Sequence, residues 1–387
     1  MLLKSKSNKI IKNSFCDQYG SNVTLWRRGD SLMIKVGFVI NYIVKNGPSS
    51  VLLNIINNLD QNEFEPSLIT LFEGNDLEVV KNLREKGIKV YECKRLSRVK
   101  CILGFAKDFQ KLIKNQGFNV LHTHGLIPDI VVSRLNGNIR KISTIHNNMF
   151  EDYLETYGKL KSEIFIRIHL AALKKLDENV CCAKSVYDVL KKQLNNITYI
   201  CNGIEDSNAE GSISRKIFGI SEDSKIFMYA GTLSKGKNIV WLIENFIKSH
   251  EKNEYLLVLG TGDEEKKCKE IADESVKMLG FKKNPMDYMK ISDVYVSASK
   301  SEGFSISVLE ALSNGLGLLL SDIPSHREIV TMSESVYLGE LFQKDSFENA
   351  LKELRNHELN KELIKNFQKA FLSASEMTKQ YASRYKN

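Results

Sequence analysis

Two carboxylates bracket the start of a predicted helix in residues 301–311, SEGFSISVLEA. Ser305 is a favourable N-cap, so Glu302 lies in the loop before the helix and Glu310 just over one turn inside it. The start of a helix carries partial positive charge and favours an anion. Carboxylates instead accept hydrogen bonds from hydroxyls, as an acidic residue does on a ribose. The pattern indicates a ligand with a sugar on one side of a diphosphate and a ribose on the other.

A second candidate segment, residues 229–238 with the sequence YAGTLSKGKN, sets lysines beside a glycine turn where a predicted strand meets a helix. Gly231 would let a ligand approach the backbone closely, and Lys237 would supply a point charge for a diphosphate. The alternative interpretation is a loop with solvent-exposed lysines.

A third turn, residues 46–50 with the sequence NGPSS, follows the first predicted strand and contains Gly47. Small residues before a helix allow an anionic ligand to approach backbone amides there. A plain turn is an equally good interpretation. The spacing is not that of a nicotinamide dinucleotide fingerprint, and residues 260–262 lack its third glycine.

Three histidines fall near the ends of two predicted strands. His122 and His124 share one strand end, and His146 ends the next strand. Because ligands bind beyond the carboxyl ends of parallel strands, His146 is the better functional candidate, whereas His122 is more typical of a structural histidine. No D-x-D motif and no spaced carboxylate completes a zinc or manganese set, so we expect a metal-independent site without a cofactor.

The elements that position these residues alternate short apolar strands with amphipathic helices, which favours an α/β fold with mostly parallel sheets. A first series of strands is predicted at 34–40, 67–72, 89–92, 119–122, 142–146 and 179–183, followed by a strand-like segment at 197–201. A second series is predicted at 226–231, 255–260, 276–279, 294–298 and 318–321. Two doubly wound, Rossmann-like domains facing an interdomain cleft are therefore expected.

The domain boundaries follow from the same pattern. Residues 1–32 are polar and without a period, and we expect a disordered or non-native extension there. The N-terminal domain is predicted to occupy residues 33–201 and the C-terminal domain residues 202–365, with a turn at Asn202 between them. Residues 366–387 are expected to form a C-terminal helix.

The bulk composition limits the class of protein. The 387 residues are 42% hydrophobic and 26% charged, and no apolar run approaches the ~20 residues of a membrane helix. The seven cysteines include no C-x-x-C pair, and the N-terminus has no secretory h-region, so a cytoplasmic protein is expected.

A basic stretch interrupts the otherwise mixed charges of the chain, which sum to +8. Its residues are Lys94, Arg95, Arg98, Lys100, Lys107, Lys111 and Lys114. One interpretation is a solvated helix face. The other is a peripheral contact with the inner membrane or with an anionic lipid-linked acceptor. Nucleic acid is not an expected partner, because few aromatic residues interleave with the basic ones.

With these motifs the chain resembles the family 4 glycosyltransferases of GT-B fold from about residue 33 to the C-terminal helices. The most specific match is the E-x7-E element of Glu302 and Glu310. Three further segments look like family motifs: residues 202–205 (NGIE), residues 231–237 (GTLSKGK) and residues 321–328 (SDIPSHRE).

The resemblance implies retaining transfer from a nucleotide diphosphate sugar to a saccharide or lipid-linked acceptor, without a metal. Glu302 would hold the donor sugar hydroxyls, Glu310 the ribose and Lys237 the diphosphate. His146 would contact the sugar near the reacting carbon. The backbone amides that would stabilise the leaving diphosphate belong to Gly303, Phe304 and Ser305.

The same resemblance gives the two domains different tasks. The C-terminal domain would bind the nucleotide sugar. The acceptor would approach from the N-terminal domain, past Gly47 and His124. The C-terminal helix would return to the N-terminal domain, as it often does in the family. A role in surface polysaccharide assembly is the corresponding expectation.

Thr232 stands where the family usually has an arginine, so one phosphate charge lacks its partner unless Lys235 replaces it. Two alternatives remain open. A nucleotide-sugar epimerase of the same architecture would need no acceptor. An inactive GT-B subunit that positions a catalytic partner would tolerate the loss of the arginine, although it would have no reason to keep Glu302, Glu310 and Lys237 together.

Overall fold

The structure, a computed structural model, describes residues 33–93, 96–104, 106–205 and 213–386. The extension predicted at residues 1–32 lies outside these ranges, as do Lys94 and Arg95 of the basic stretch. The described chain forms two α/β units, each built on one parallel sheet whose strands are joined by helices.

The first sheet has, in the described residues, seven parallel strands in the order β3-β2-β1-β4-β5-β6-β7. The strands are β1 Ile34–Ile40, β2 Phe64–Thr70, β3 Lys89–Glu92, β4 Val120–His124, β5 Arg140–Ile145, β6 Glu178–Cys181 and β7 Ile197–Tyr199. The helices are α1 Gly47–Asn58, α2 Leu77–Glu85, α3 Arg98–Leu103, α4 Lys107–Gln116, α5 Leu126–Val132, α6 Met149–Leu173 and α7 Lys184–Leu190.

The second sheet has six parallel strands within the described ranges, in the order β10-β9-β8-β11-β12-β13. They are β8 Lys225–Ala230, β9 Glu254–Leu259, β10 Val276–Gly280, β11 Val294–Ser297, β12 Gly317–Ser321 and β13 Gly339–Phe342. The helices are α8 Ile239–Ser249, α9 Glu265–Ile271, α10 Met286–Lys290, α11 Ile306–Ser313, α12 Pro324–Val330, α13 Phe347–Asn356, α14 Lys361–Phe371 and α15 Ala374–Lys386.

Both sheets have the strand order of doubly wound folds, with the reversal beside β1 in one domain and beside β8 in the other. Their central strands are nearly continuous apolar runs, such as KIFMYA in β8 and GLLLS in β12, because helices cover both faces of a parallel sheet. The predicted α/β class with two Rossmann-like domains is confirmed.

Two strands differ from the sequence prediction. β2 begins at Phe64, although Pro66 lies inside it; β3 pairs only from Ser67 onward, so the missing amide of Pro66 interrupts no ladder on that side. β13 was not predicted. It is an edge strand that pairs only with β12, and its first two residues, Gly339 and Glu340, are unfavourable in strands, which leaves no strand pattern in the sequence.

Gly158 interrupts α6 with φ 72° and ψ 170°, so the element consists of two helical segments that fold back on each other. A left-handed φ favours glycine, because a β-carbon there would strain the backbone. The break brings Tyr157 against Phe165, with ring centroids 4.7 Å apart. In a continuous helix these two residues, eight positions apart, would be separated by about 12 Å along the axis.

The C-terminal segment is two helices rather than the single one expected at residues 366–387. The helical conformation is interrupted at Ser373, which forms an isolated β-bridge with Ile204. α15 then packs on α1 of the first domain. Two of its tyrosines are buried there: the Tyr381 hydroxyl is 2.8 Å from the Thr144 hydroxyl, and the Tyr385 hydroxyl is 2.8 Å from His122 Nδ1.

Side chains of the second domain also cap elements of the first. The Glu328 carboxylate accepts hydrogen bonds of 2.8 Å from the backbone amides of Lys184 and Ser185 at the start of α7. The buried Asn202 side chain donates to the carbonyl of Phe304 over 3.0 Å. A carboxylate at a helix N-terminus is favourable, so the Glu328 contacts link the two domains, and Asn202 ties the turn between the domains to the loop before α11.

Candidate active site

The predicted donor residues converge on the first turn of α11, at the carboxyl end of β11. Ser305 is the N-cap, as predicted, but its hydroxyl makes no capping bond with any described residue. The backbone amides of this turn therefore donate no hydrogen bond to the Ser305 side chain and can donate to another acceptor, as expected of an anion site.

A pocket of about 240 Å³ opens on one side of this turn. Of the predicted donor residues, Gly231, Thr232 and Glu310 line it. Gly231 also lies against Gly260, where a β-carbon would overlap the Gly231 carbonyl oxygen. The close approach of these two loops leaves room for a flat or extended ligand above the strand ends.

Glu310 is partly buried in this pocket, and burial raises its pKa from 4.5 to about 7. Desolvation penalises the charged form, and few compensating partners surround the carboxyl group. A ligand that donates hydrogen bonds to Glu310 would favour the ionised form and lower this pKa again. The group is therefore suited to bind vicinal hydroxyls and to couple that binding to proton release.

Glu302 and Lys237 form an ion pair, with Lys237 Nζ 2.5 Å from Glu302 Oε1. Their side chains are 13% and 33% exposed, respectively, so the pair is shielded but open to a ligand. Lys237 precedes α8, and Asn238 between them adopts a left-handed conformation with φ 56°. The strained turn fixes where the ammonium group can reach.

Gly303 is packed against the backbone of the first domain. A β-carbon at this position would overlap the carbonyl oxygen of His146. The predicted catalytic residues Glu302 and His146 therefore come from opposite domains but lie on adjoining segments of backbone. Gly47 faces the same turn, since a β-carbon there would lie 3.7 Å from Ile306 Cγ1.

The three histidines form one cluster. His122 is fully buried between Tyr385 and Thr144, which agrees with its structural interpretation. His124 Nδ1 lies 2.9 Å from His146 Nε2. Burial lowers the pKa of all three rings, that of His146 to about 4. His146 is therefore a neutral hydrogen-bonding group near pH 7 and not a cation.

A second pocket, of about 280 Å³, lies on the first domain beside His146. The predicted His124 lines it, together with the neighbours of Gly47 at positions 46 and 48. Its other polar or aromatic lining residues are Asn41, Tyr42, Asp129, Thr144, Asn147, Asp152, Tyr153, Tyr157 and His169. Such a mixture of hydroxyl, amide and aromatic groups fits a polar ring-shaped ligand.

Among the residues described, no group of three or more His, Cys, Asp or Glu side chains could hold a metal ion. Metal independence stays a prediction.

Two family models match the chain in succession. The model described as Glycosyltransferase Family 4 matches residues 45–208, and that described as Glycosyl transferases group 1 matches residues 212–370. The first covers the domain with the histidine cluster and the second covers the domain with the E-x7-E element. The chain belongs to the family 4 glycosyltransferases.

Two relatives of this glycosyltransferase come from Escherichia coli. The O-antigen biosynthesis glycosyltransferase WclY is 29% identical over 313 residues, which are 76% of this chain and 82% of WclY. The UDP-Gal:alpha-D-GlcNAc-diphosphoundecaprenol alpha-1,3-galactosyltransferase is 28% identical over 283 residues, which are 67% and 72% of the two chains.

A solved structure shows the same fold. Anabaena HepE in complex with UDP-glucose superposes on the glycosyltransferase with a TM-score of 0.73 and 12% identity, covering 91% of this chain and 99% of that one. The likeness confirms the predicted GT-B architecture.

Several residues at or near the candidate site carry no signal in the sequence. Lys45 and Lys282 line the pocket beside Glu310, whereas Lys235, proposed as the substitute for the missing arginine, is exposed and not among its lining residues. His326 is fully buried, and no described residue pairs with its Nε2. Isolated lysines and a histidine beside an S-D motif carry no spacing signal of their own.

The Gly303 contact yields a test of domain packing. Replacing Gly303 with alanine should lower the free energy of unfolding by about 1–3 kcal/mol, because the added methyl group meets backbone that cannot move aside locally. Urea unfolding followed by circular dichroism measures this. Gly47→Ala is the matched control, since a β-carbon there has ordinary contacts, and it should unfold like the wild type. Equal stability of both variants would contradict the packing described here.

Proposed function

We propose that this glycosyltransferase transfers a sugar, with retention of configuration, from a nucleotide diphosphate sugar to a saccharide or lipid-linked acceptor during assembly of a bacterial surface polysaccharide. The observation that carries the proposal is the arrangement of Glu302, Lys237 and Glu310 around one helix N-terminus. The relatives support the polysaccharide role, since WclY is named for O-antigen biosynthesis. Retention rests on the family resemblance.

The donor is proposed to span the first turn of α11. The ribose hydroxyls would donate hydrogen bonds to Glu310 in the 240 Å³ pocket. The diphosphate would lie over the amides of Gly303, Phe304 and Ser305, and the sugar would reach Glu302. HepE was solved with UDP-glucose, and the galactosyltransferase relative is named for UDP-Gal, so uridine nucleotides are the first donors to examine.

Donor binding would change the partners of Lys237 and Glu302, which form an ion pair in the free protein. A diphosphate would attract Lys237, and Glu302 would then be free to accept hydrogen bonds from sugar hydroxyls. Lys237 would gain an anionic partner and Glu302 would gain hydroxyl donors, so neither charge is left buried and unpaired. In the transfer step the acceptor oxygen bonds to the anomeric carbon as the bond from that carbon to the diphosphate oxygen breaks, and the acceptor hydroxyl proton passes to the departing diphosphate oxygen. The charge that develops on the diphosphate meets the α11 amides and Lys237.

Lys45 and Lys282 are proposed to supply the charge of the arginine that Thr232 replaces. They come from the two domains and line the pocket of about 240 Å³, which is the proposed nucleotide pocket. Lys45 is part of the loop before α1. Its contribution would depend on the closed arrangement of the domains, which would link donor binding to closure.

The two alternatives make different demands. An epimerase would convert a nucleotide sugar with no acceptor present, which leaves the pocket of about 280 Å³ beside His146 without a task. An inactive partner subunit would not bind the donor at all. Transfer is favoured over both because a donor-type site and a second polar pocket adjoin at His146.

The acceptor would reach this pocket from the cytoplasmic face of the membrane. No helix in the described ranges is long and apolar enough to cross a bilayer. α3 packs on α5, whose first residue, Leu126, lines the pocket of about 280 Å³, which is the proposed acceptor-side pocket. Val99 and Leu103 of α3 are 65% and 64% exposed, next to Arg98 and Lys100 in the same helix. A helix with exposed apolar and basic residues suits an anionic lipid surface.

Donor binding is tested by thermal shift with UDP-glucose, UDP-galactose and the other common nucleotide sugars, without metal. We expect one nucleotide class to stabilise the protein. Lys237→Ala should weaken that binding about 10-fold to 100-fold, as expected for a lost charge-assisted hydrogen bond of about 1.5–3 kcal/mol. Glu302→Gln should bind the donor yet lose transfer.

Lys248→Ala removes a similar charge from the far end of α8 and should bind the donor like the wild type. Lys45→Ala should weaken binding, and Thr232→Arg should restore it in the Lys45→Ala background. If Glu302→Gln transfers within a few-fold of the wild-type rate, the proposed site is wrong. If no nucleotide sugar shifts the melting temperature, the inactive-subunit alternative gains the support.

Glu310 makes donor binding depend on pH. Because the pKa is raised to about 7 in the free protein, Glu310 contributes stability that is full below pH 4.5 and is lost as pH rises through about 7. Ligand hydroxyls favour the ionised form, so donor affinity should rise with pH across that same range. Calorimetric titration between pH 5.5 and 8.5 measures the slope. Glu310→Gln should give a flat profile, and an equally steep one would show that another group titrates.

Membrane contact is tested by co-sedimentation with vesicles. The wild type should bind vesicles that contain phosphatidylglycerol more tightly than phosphatidylcholine vesicles, and Val99→Ser with Leu103→Ser should reduce this binding several-fold. Leu363→Ser, which removes an apolar side chain that is 48% exposed on the other domain, is the control. Equal binding of wild type and double variant would remove α3 from the proposal.

A further inference from the structure

A buried hydrogen-bonded relay of four side chains runs from β4 to the acceptor-side pocket, and none of the four belongs to the proposed donor site. The Thr123 hydroxyl donates to Asp129 Oδ1, and Asp129 Oδ2 lies 2.8 Å from His169 Nε2. His169 Nδ1 lies 2.7 Å from the Tyr153 hydroxyl. The four side chains are 8% exposed or less.

The relay ends in the pocket, because Asp129, Tyr153 and His169 are all among its lining residues. His124 and His146 line the same pocket, so the phenol of Tyr153 shares a cavity with the groups nearest the donor sugar. Burying an aspartate and a histidine is costly unless each is paired, and here both nitrogens of the imidazole and both oxygens of the carboxylate have partners. Such a fully satisfied network fixes the position of its last member.

The break in α6 makes this relay possible. Tyr153 and His169 are 16 residues apart in one element, which would separate them by about 24 Å along an uninterrupted helix. Gly158 turns the first segment back, so that the two rings stack with centroids 5.9 Å apart. The fold therefore brings Tyr153 to the pocket by a device that only glycine tolerates without strain.

The direction of the hydrogen bonds follows from the carboxylate. A carboxylate can only accept, so an imidazole that carries a single proton and pairs with Asp129 holds that proton on Nε2. His169 Nδ1 must then accept from the Tyr153 hydroxyl. Burial, followed by the charge of Asp129, raises the pKa of Tyr153 well above its usual value, so the phenol keeps its proton. The oxygen lone pairs of Tyr153 are left to accept from a ligand.

We propose that Tyr153 recognises the acceptor of this glycosyltransferase by accepting a hydrogen bond from one hydroxyl of a saccharide ring in the 280 Å³ pocket, with His169 and Asp129 as positioning residues. The inference rests on the proposed function and adds the acceptor chemistry to it. Tyr157, 40% exposed at the same pocket, offers an aromatic face for the ring. The acceptor hydroxyl must be a donor in this contact, so its removal or replacement by fluorine abolishes the bond.

The probes are octyl glycosides of glucose, galactose and N-acetylglucosamine, used with the nucleotide sugar that stabilises the protein. Single deoxy and deoxyfluoro analogues of the best octyl glycoside then locate the recognised hydroxyl. For one position the wild type should lose at least 10-fold in kcat/KM, mainly through KM. Tyr153→Phe should show that same loss with the parent glycoside and no further loss with the analogue, since contacting partners are not additive.

Asp129→Asn tests the direction of the relay. An amide at this position can donate to His169 Nε2, which moves the imidazole proton to Nδ1 and turns the Tyr153 hydroxyl toward the ligand as a donor. The deoxyfluoro analogue should then come within about three-fold of the parent glycoside. A purely structural role for the relay would lower activity with all glycosides alike.

Donor hydrolysis without acceptor and the donor-induced thermal shift should stay within two-fold of wild type in Tyr153→Phe. Tyr187→Phe, which removes a phenol oxygen outside the pocket, is the matched control. An unchanged acceptor KM in Tyr153→Phe, or a parallel fall in donor hydrolysis, would overturn the inference. Failure of the proposed function looks different, because the wild type itself would then respond to no nucleotide sugar.

Discussion

The close backbone contact between Gly303 and the carbonyl of His146 is the constraint on which the rest of this site depends. Parallel sheets bind ligands at the loops beyond the carboxyl ends of their strands, so two such sheets that face each other bring two sets of these loops together. A side chain at position 303 would hold the loops apart. Without one, the first turn of α11 and the end of β5 form one surface.

This surface combines groups that neither domain could assemble alone. Glu302 and Lys237 belong to the second domain, whereas His146 and Lys45 belong to the first. The contacts of Glu328 with α7 stabilise this arrangement from outside the site, and Asn202 fixes the carbonyl of Phe304 beside the first turn of α11. The packing of α15 on the first domain also stabilises this arrangement, because its tyrosines form hydrogen bonds with His122 and Thr144 beside the histidine cluster. The geometry of the proposed site is therefore a property of the domain interface.

Burial gives the polar groups of the two pockets different tasks. In the acceptor-side pocket it keeps the histidines neutral, which suits them to hydrogen bonding with a polar ligand. In the nucleotide pocket it raises the pKa of Glu310 toward neutrality. The Lys237–Glu302 pair remains partly exposed and is thus available for exchange with a charged ligand. One cleft consequently offers neutral, titrating and ionic groups close to one another.

The sequence by itself determined the fold class, the two domains and the helix N-terminus between Glu302 and Glu310. These features depend on local patterns, because alternation and capping residues act over one or two turns of chain. Most strands are predictable within a few residues, and β13 is not, because Gly339 and Glu340 are unfavourable in strands. Lys237 and His146 are recognisable because Lys237 lies in the loop after a predicted strand and His146 ends one.

Only the tertiary structure decided which of these residues meet. Lys237 pairs with Glu302 across 65 residues, and His169 pairs with Asp129 across 40. The break at Gly158 also escaped the sequence, because a single glycine inside an apolar helical pattern gives no signal of its direction. Such pairings depend on how helices pack on sheets and how two domains close, and the free energy for them comes from burial over the whole chain. No local pattern contains that information, so the acceptor pocket became visible only in the folded molecule.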